Sequence, residues 1–354
     1  MNSEKFDTAT VKTSFFAFFT FLHSYIFYYL CTMKVNNRRM PAEWEPQSAV
    51  QLTWPHEGTD WAPMLPEITA VYEIMKREIE RHEPVIVVDD IPHNDTWARD
   101  HGFITVEEDG QLLLLDFCFN GWGEKFEATL DNQINKRLYE QGMVKGTYED
   151  HLDFVLEGGS IESDGRGTIF TTRCCLMAPH RNQPLTQTEI EERLKQWLGA
   201  KRIVWLNHGS LIGDDTDGHI DTLVRIAPND TLLYIGGDDD HPELYHMEQE
   251  LMQLRTVEGK PYRLLKLPLP RPIYDSQELT ANSQQPNDRL PATYANYLVI
   301  NGAVLVPTYN QPDLDAEAMR IIGQAFPDRE IVSIDCRTVI RQHGSLHCCT
   351  MQYY

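Results

Sequence analysis

Positive charge is scarce in this sequence: 31 lysines and arginines stand against 53 aspartates and glutamates, giving a formal net charge of −22 and a pI near 4.9. Nucleic acid and anionic membrane both demand a basic footprint, so neither is a main partner, and what such a chain can attract is a cation. A disulfide framework is also missing. Seven cysteines, an odd number with two vicinal pairs (Cys174 with Cys175, Cys348 with Cys349), show no C-x-x-C spacing for structural zinc and fit a reducing, cytoplasmic setting. No glycine-rich phosphate turn links a strand to a helix, which removes the nucleotide-binding signature of a doubly wound sheet. No metal and no organic cofactor are expected.

Long apolar runs are confined to Ser14 to Cys31, SFFAFFTFLHSYIFYYLC. That length is marginal for a bilayer span of about 20 residues. Its flanks mix Glu4 and Asp7 with Lys5 and Lys12, and no small-residue cleavage site follows. Residues 1–33 are therefore expected to be an extension outside the fold, with no stable membrane association, and residues 34–354 to form one domain that starts naturally at Met33. A homo-oligomer is compatible with the sequence.

What is present beyond that point is a repeat. Helical spacing of apolar residues marks Ala62 to His82, Phe126 to Met143, Thr186 to Gly199, His241 to Val257 and Asp313 to Phe326. Each helix leads to a short apolar strand, VIVVD (Val85 to Asp89, read as buried), RIVWL (Arg202 to Leu206) and EIVSID among them. Between them stand strand pairs such as LLLLDFCF, GTIFTT, TLLYIGG and YLVINGAVLVPTY. Five units of strands with one helix, none able to bury its own faces, stack into a closed α/β ring.

Four stretches carry more polar chemistry than ordinary loops need. NDTWARDHG holds Asp95, Trp97, Arg99 and Asp100. LEGGSI holds Glu157 followed by two glycines that let backbone come close to something. GDDTDGHIDTLVRI holds His219 and Asp221, which alternation places on one face if a strand opens there. That stretch fails as a calcium loop, because the first and twelfth ligand positions would be Gly213 and Val224. GSLHCCTMQ holds His347, Cys348 and Cys349; on an extended segment adjacent thiols face opposite ways, so only one can be a nucleophile.

In this order, NDTWARDHG, LEGGSI, DGHID, YANYLVINGAVLVPTY and GSLHCCTMQ resemble the agmatine deiminase family, relatives of the Porphyromonas-type peptidylarginine deiminases within the guanidino-modifying pentein superfamily. The resemblance runs from Met40 to Tyr354. It implies a single-domain, five-bladed ββαβ propeller, and hydrolytic deimination of a small cationic guanidino substrate, agmatine first. Deimination of arginine or peptidyl arginine, or a non-catalytic pentein-fold binding protein, is the alternative. It further implies Cys348 as nucleophile, His219 as acid and base, and Asp100, Glu157 and Asp221 as carboxylates on the guanidinium side. Trp97, Asp95, Trp122 and Asn296 are the expected substrate contacts. The chemistry is coherent: a guanidinium is planar, donor-only and permanently charged, so carboxylates hold it best.

Overall fold

The computed structural model describes residues 37–237, 241–275 and 289–354; the expectation for residues 1–33 lies outside them. Arg38–Tyr354 forms one compact unit. Among the described residues no helix is long and apolar enough to cross a membrane.

The chain lays down five three-stranded sheets of one design: an antiparallel pair, then a helix that crosses over to a third strand parallel to the middle one. The second unit is β3 (Ile104–Glu108), β4 (Gln111–Cys118), helix α2 (Ile134–Glu140) and β5 (Thr147–Val155). The third is β6 (Ile161–Ser163), β7 (Thr168–Thr172), α3 (Gln187–Leu198) and β8 (Arg202–Leu206). The fourth is β9 (Val224–Ala227), β10 (Thr231–Ile235), α4 (Pro242–Gln253) and β11 (Arg263–Leu267). The fifth is β12 (Leu298–Ile300), β13 (Ala303–Thr308), α5 (Pro312–Ala325) and β14 (Glu330–Asp335). The first unit has β1 (Ala49–Thr53), α1 (Leu65–Glu80) and β2 (Val85–Val88), and takes its first strand from the far end of the sequence: β15 (Thr350–Tyr353) pairs antiparallel with β1, Leu52 opposite Thr350. The ring of five is closed by that pairing.

Burial grades across each sheet. The first strands β6, β9, β12 and β15 are buried throughout, whereas the third strands β5, β11 and β14 are mostly exposed or half-buried, each with one buried residue (Phe154, Leu267 and Ile334); β8 is the exception, mostly buried. First strands therefore line the inside of the ring and third strands its rim. VIVVD, read as buried from its apolarity, is such a rim strand and is mostly half-buried.

The helices sit where their period and caps put them. In α3, Thr186 and Glu189 form a capping box and Gly199 ends the helix in the left-handed region at φ 66°. The expected helix Phe126 to Met143 is the exception, reduced to a turn at Asp131–Gln133 and α2. Its first part spends its backbone on side chains: Leu130 N–H donates to Asn94 Oδ1 at 2.7 Å, and Ala128 O accepts from Asn132 Nδ2 at 2.9 Å. Polar side chains here compete with the helix for backbone partners.

Candidate active site

Each polar stretch lies just before the inner strand of a different unit. Asp100 sits on the helical turn Ala98–His101 ahead of β3, Glu157 ahead of β6, His219 and Asp221 ahead of β9, Asn296 ahead of β12 and Cys348 ahead of β15. Equivalent positions around the ring thus bring residues from five distant stretches to one end of its axis.

His219 and Asp221 do not open a strand as alternation required. His219 caps, and Asp221 lies within, a 3-10 turn, Ile220–Thr222, in which Thr222 donates to His219 O from its hydroxyl (2.8 Å) and its N–H (3.3 Å); β9 starts only at Val224. Local hydroxyl bonding wins over extension. Cys348 and Cys349 likewise occupy a turn, with Cys349 N–H on Ser345 O (3.3 Å) and Thr350 N–H on His347 O (3.1 Å), so strand alternation does not separate them. Their surroundings do: Cys348 lines a cavity, while Cys349 is fully buried beside Tyr72.

The two glycines after Glu157 have a steric reason. A Cβ on Gly158 would stand 2.2 Å from Arg99 O, and one on Gly159 would meet His219 Nδ1 at 2.7 Å, Asp100 Oδ1 at 2.9 Å and Asp221 Oδ2 at 3.1 Å. Gly159 is therefore the spacer around which three ionisable groups converge. Its N–H donates to Asp100 Oδ1 at 3.0 Å, and Trp122 Nε1–H donates to Asp100 Oδ2 at 2.9 Å. Trp122 reaches in from a loop in which Gly121 to Glu124 all have positive φ (66°, 55°, 86°, 66°), a conformation held against its intrinsic cost by the surrounding contacts.

Asp221 Oδ2 receives His347 Nδ1 at 2.7 Å and lies 3.8 Å from the Cys348 sulfur. Asn296 Oδ1 accepts from His347 N–H (3.0 Å) and Cys348 N–H (3.3 Å), with Cys348 Sγ also 3.3 Å away. Glu157 is bound through one oxygen to Arg181 Nε at 2.7 Å, and Arg181 continues to Asp217 at 2.8 Å and to Thr216 O at 3.0 Å. Both ring nitrogens of His219, Asp221 Oδ1 and Glu157 Oε2 are buried without any partner. Buried polar atoms are nearly always satisfied, so such a group of orphans marks a place built for a ligand.

The electrostatics agree. Burial, then the Glu157 charge, pushes the Asp100 carboxyl up to about 7. Burial, then Asp100, drives Asp221 well above the ordinary range, and burial, Asp221 and Asp100 raise the Cys348 thiol well above its own. Burial, aided by the positive Arg181 and Lys125, keeps His219 neutral. Without a cation the site is a set of carboxylates under mutual repulsion beside a protonated thiol.

The cavity has a volume of about 180 Å³ and is lined by Asp60, Asp95, Trp97, Asp100, Trp122, Phe126, Asp215, Thr216, Gln342, His343, Gly344 and Cys348. That is below the usual ~300–1,000 Å³ of pockets for drug-sized ligands and suits a slender one. Four lining residues are aspartates and none is lysine or arginine. Of the expected site residues, Asp95, Trp97, Asp100, Trp122 and Cys348 form its wall; His219, Asp221, Glu157 and Asn296 stand behind it. Asn296, expected to touch substrate, instead grips the turn that carries Cys348. Sequence reasoning missed Asp60, isolated in the loop after β1, and Arg181, whose segment MAPHRNQP shows no pattern. Asp215 was within reach, in the acidic stretch before His219.

Among the described residues two clusters have ligand atoms close enough for a metal ion: Glu157 with Cys175 and His219, and Glu43 with Glu162 and His347. In each an arginine already holds the carboxylates, Arg181 on Glu157 and Arg225 on both Glu43 and Glu162. A guanidinium occupies the position a cation would take and repels it.

Comparison with known proteins reaches the same chemistry. Residues 39–353 match the Porphyromonas-type peptidyl-arginine deiminase family. The agmatine deiminase of Pseudomonas aeruginosa is 33% identical over 91% of this chain and 96% of its own. The structure of a cysteine-to-serine variant of the C. jejuni agmatine deiminase with substrate bound is 34% identical, with a TM-score of 0.81 over 90% of this chain and 97% of that one. A Porphyromonas gingivalis structure provisionally described as an arginine deiminase is 47% identical, with a TM-score of 0.82 over 90% and 98%. The chain belongs to the Porphyromonas-type peptidyl-arginine deiminase family.

Proposed function

We propose that this chain hydrolyses agmatine to N-carbamoylputrescine and ammonia through an amidino-cysteine on Cys348. The observation that carries this reading is the group of unpartnered buried atoms, Asp221 Oδ1, Glu157 Oε2 and both His219 nitrogens, beside a cavity thiol 3.8 Å from Asp221. Guanidinium N–H groups are the donors those carboxylate atoms lack. The incoming cation relieves the repulsion that holds Asp100 and Cys348 protonated, and the Cys348 proton passes to neutral His219.

The thiolate then adds to the guanidinium carbon. His219 returns its proton to one departing nitrogen, so that ammonia leaves and the S–C bond remains. Water attacks the same carbon, giving its proton to His219; the S–C bond breaks, the thiol is re-formed and the ureido product departs. Glu157, within 4.8 Å of a His219 ring nitrogen and fixed by Arg181, orients that histidine. Asn296 positions Cys348.

Substrate choice follows from the outer wall. Asp60, Asp95 and Asp215 suit a terminal ammonium, and Trp97 and Trp122, 6.5 Å apart and edge to face, flank a methylene chain. An arginine carboxylate would find no lysine or arginine among the described lining residues. The test is ammonia release from agmatine, arginine, a peptidyl arginine and methylated arginines; preference for arginine over agmatine would overturn the assignment.

A further inference from the structure

Behind Asp221 lies a buried polar row to which the proposed reaction gives no part: His347, Arg225, then Glu162 and Glu43. Arg225 is fully buried and every side of its guanidinium is committed. Its Nε bonds Glu162, its Nη1 donates to Ala295 O at 3.1 Å and also to Tyr297 O, its Nη2 bonds Glu43, and its carbon lies 4.5 Å from the Tyr297 ring centre. So anchored, it sets Nη2 at 3.1 Å from His347 Nε2. The opposite ring nitrogen, Nδ1, is the one 2.7 Å from Asp221 Oδ2.

The donor inventory decides the rest. Arginine only donates, so at the 3.1 Å contact Nε2 must present its lone pair. A neutral imidazole carries its single proton on the other nitrogen, and Nδ1–H then donates to Asp221. Burial, with Arg225 and Arg99 nearby, holds His347 well below its ordinary value and therefore neutral. Glu43 Oε2, 3.4 Å from Nε2, would favour a proton there, but Arg225 Nη2 sits between the two as donor to both.

We infer that His347 is a positioning residue for the deimination reaction: Arg225 locks it as the Nδ1–H tautomer, and that N–H holds Asp221 through Oδ2, leaving its free oxygen, Oδ1, for the substrate guanidinium. Without this bond Asp221 loses its shortest contact with a donor, 2.7 Å against 3.8 Å for the Cys348 thiol, and the plane of its carboxylate is less firmly fixed. An aspartate beside a histidine of the wrong tautomer is known to cost catalysis severely, and a 1 Å misplacement alone costs about a hundredfold. The inference rests on the deimination reading.

Two measurements test it. An asparagine amide can stand where Nδ1–H stands, whereas a glutamine amide reaches the Nε2 position and offers Asp221 nothing. With agmatine, His347→Asn is expected to stay within about tenfold of wild-type kcat/KM and His347→Gln to fall by about a hundredfold or more. Glutamine equal to or better than asparagine overturns the inference. Independently of activity, nitrogen-15 NMR of histidine-labelled wild type should show one of its 13 histidines, identified by its loss in His347→Asn, protonated at Nδ1 alone across neutral pH. Protonation at Nε2 or at both nitrogens refutes the lock. A protein that fails to turn over agmatine yet shows the Nδ1–H tautomer would sink the substrate reading while leaving the lock in place.

Discussion

Replacing Asp100 by asparagine separates the cost of the empty site from its use. Asp100 accepts two fixed donors, Trp122 Nε1–H at 2.9 Å and Gly159 N–H at 3.0 Å. Asparagine keeps one acceptor and turns the other into a donor facing a donor, a loss of about 1–3 kcal/mol. Against this, the carboxyl is pushed from 3.8 to about 7, so that at pH 7 its ionisation costs the empty fold about 4 kcal/mol at 1.36 kcal/mol per unit. Asparagine removes that cost, and the unliganded variant should melt no lower than wild type. Catalysis moves the other way. The guanidinium loses a charge and meets a donor in a water-poor pocket, which should lower kcat/KM for agmatine by about 3–5 kcal/mol, or two to four decades. The thermal shift produced by agmatine should shrink or vanish alongside. Steady-state ammonia release and thermal melts with and without agmatine read both effects. A lower unliganded Tm with kcat/KM within threefold of wild type would refute the reasoning and make Asp100 a structural anchor for the Trp122 loop.

Cys348→Ser should abolish turnover in the ammonia assay, whereas Cys349→Ser, buried away from the cavity, should keep most of it; equal losses would contradict the assignment. Gly159→Ala places a methyl 2.7–3.1 Å from His219, Asp100 and Asp221 and should cut kcat/KM at least a hundredfold; retention of activity would show that these groups do not act together. Unliganded stability should fall as pH rises from about 6.5 to 8, above the range in which His101, His219 and His347, lowered by burial, give the opposite slope. Asp95 and Asp100, raised to about 7, and Asp131, raised to about 6, with burial the main cause for each, bind more protons folded than unfolded, so their contribution is full below about pH 4 and is lost through those values. A Tm that is flat or rising over that range in denaturation scans would count against the buried acids. A chain beginning at Met33 should be soluble and as active as the full chain; insolubility would show that residues 1–33 support the fold.

The repeat was legible because the crossover helices keep the 3.6-residue period, as Ile68, Val71, Tyr72, Met75 and Ile79 do in α1, and the middle strands β4, β10 and β13 carry continuous apolar runs. The site was legible for a related reason. Carboxylates and glycines clustered just before inner strands have no solubility role, and those positions all point to one end of the axis. What escaped the sequence was set by contacts rather than period. Thr222 turns the His219 segment into a 3-10 turn, and Asn94 and Asn132 unwind the start of the second helix. Arg181 meets Glu157 across 24 positions, and no local pattern announces that pairing. The two cysteines end in different surroundings through a turn whose geometry Asn296 fixes from another unit.

The strand that closes the ring, β15, follows all the others in the chain and begins two residues after Cys348. During synthesis, units two to five can be laid down in order, but the first unit waits with two strands and with Val50 and Leu52, both fully buried in the finished fold, lacking their cover. The reactive thiol emerges with the strand that supplies that cover. A message cut short before Cys348, or a protein clipped there, therefore yields a chain that is both unclosed and without the proposed nucleophile. With Cys348 as the proposed nucleophile, closure of the ring and completion of the site draw on the same last dozen residues of the sequence.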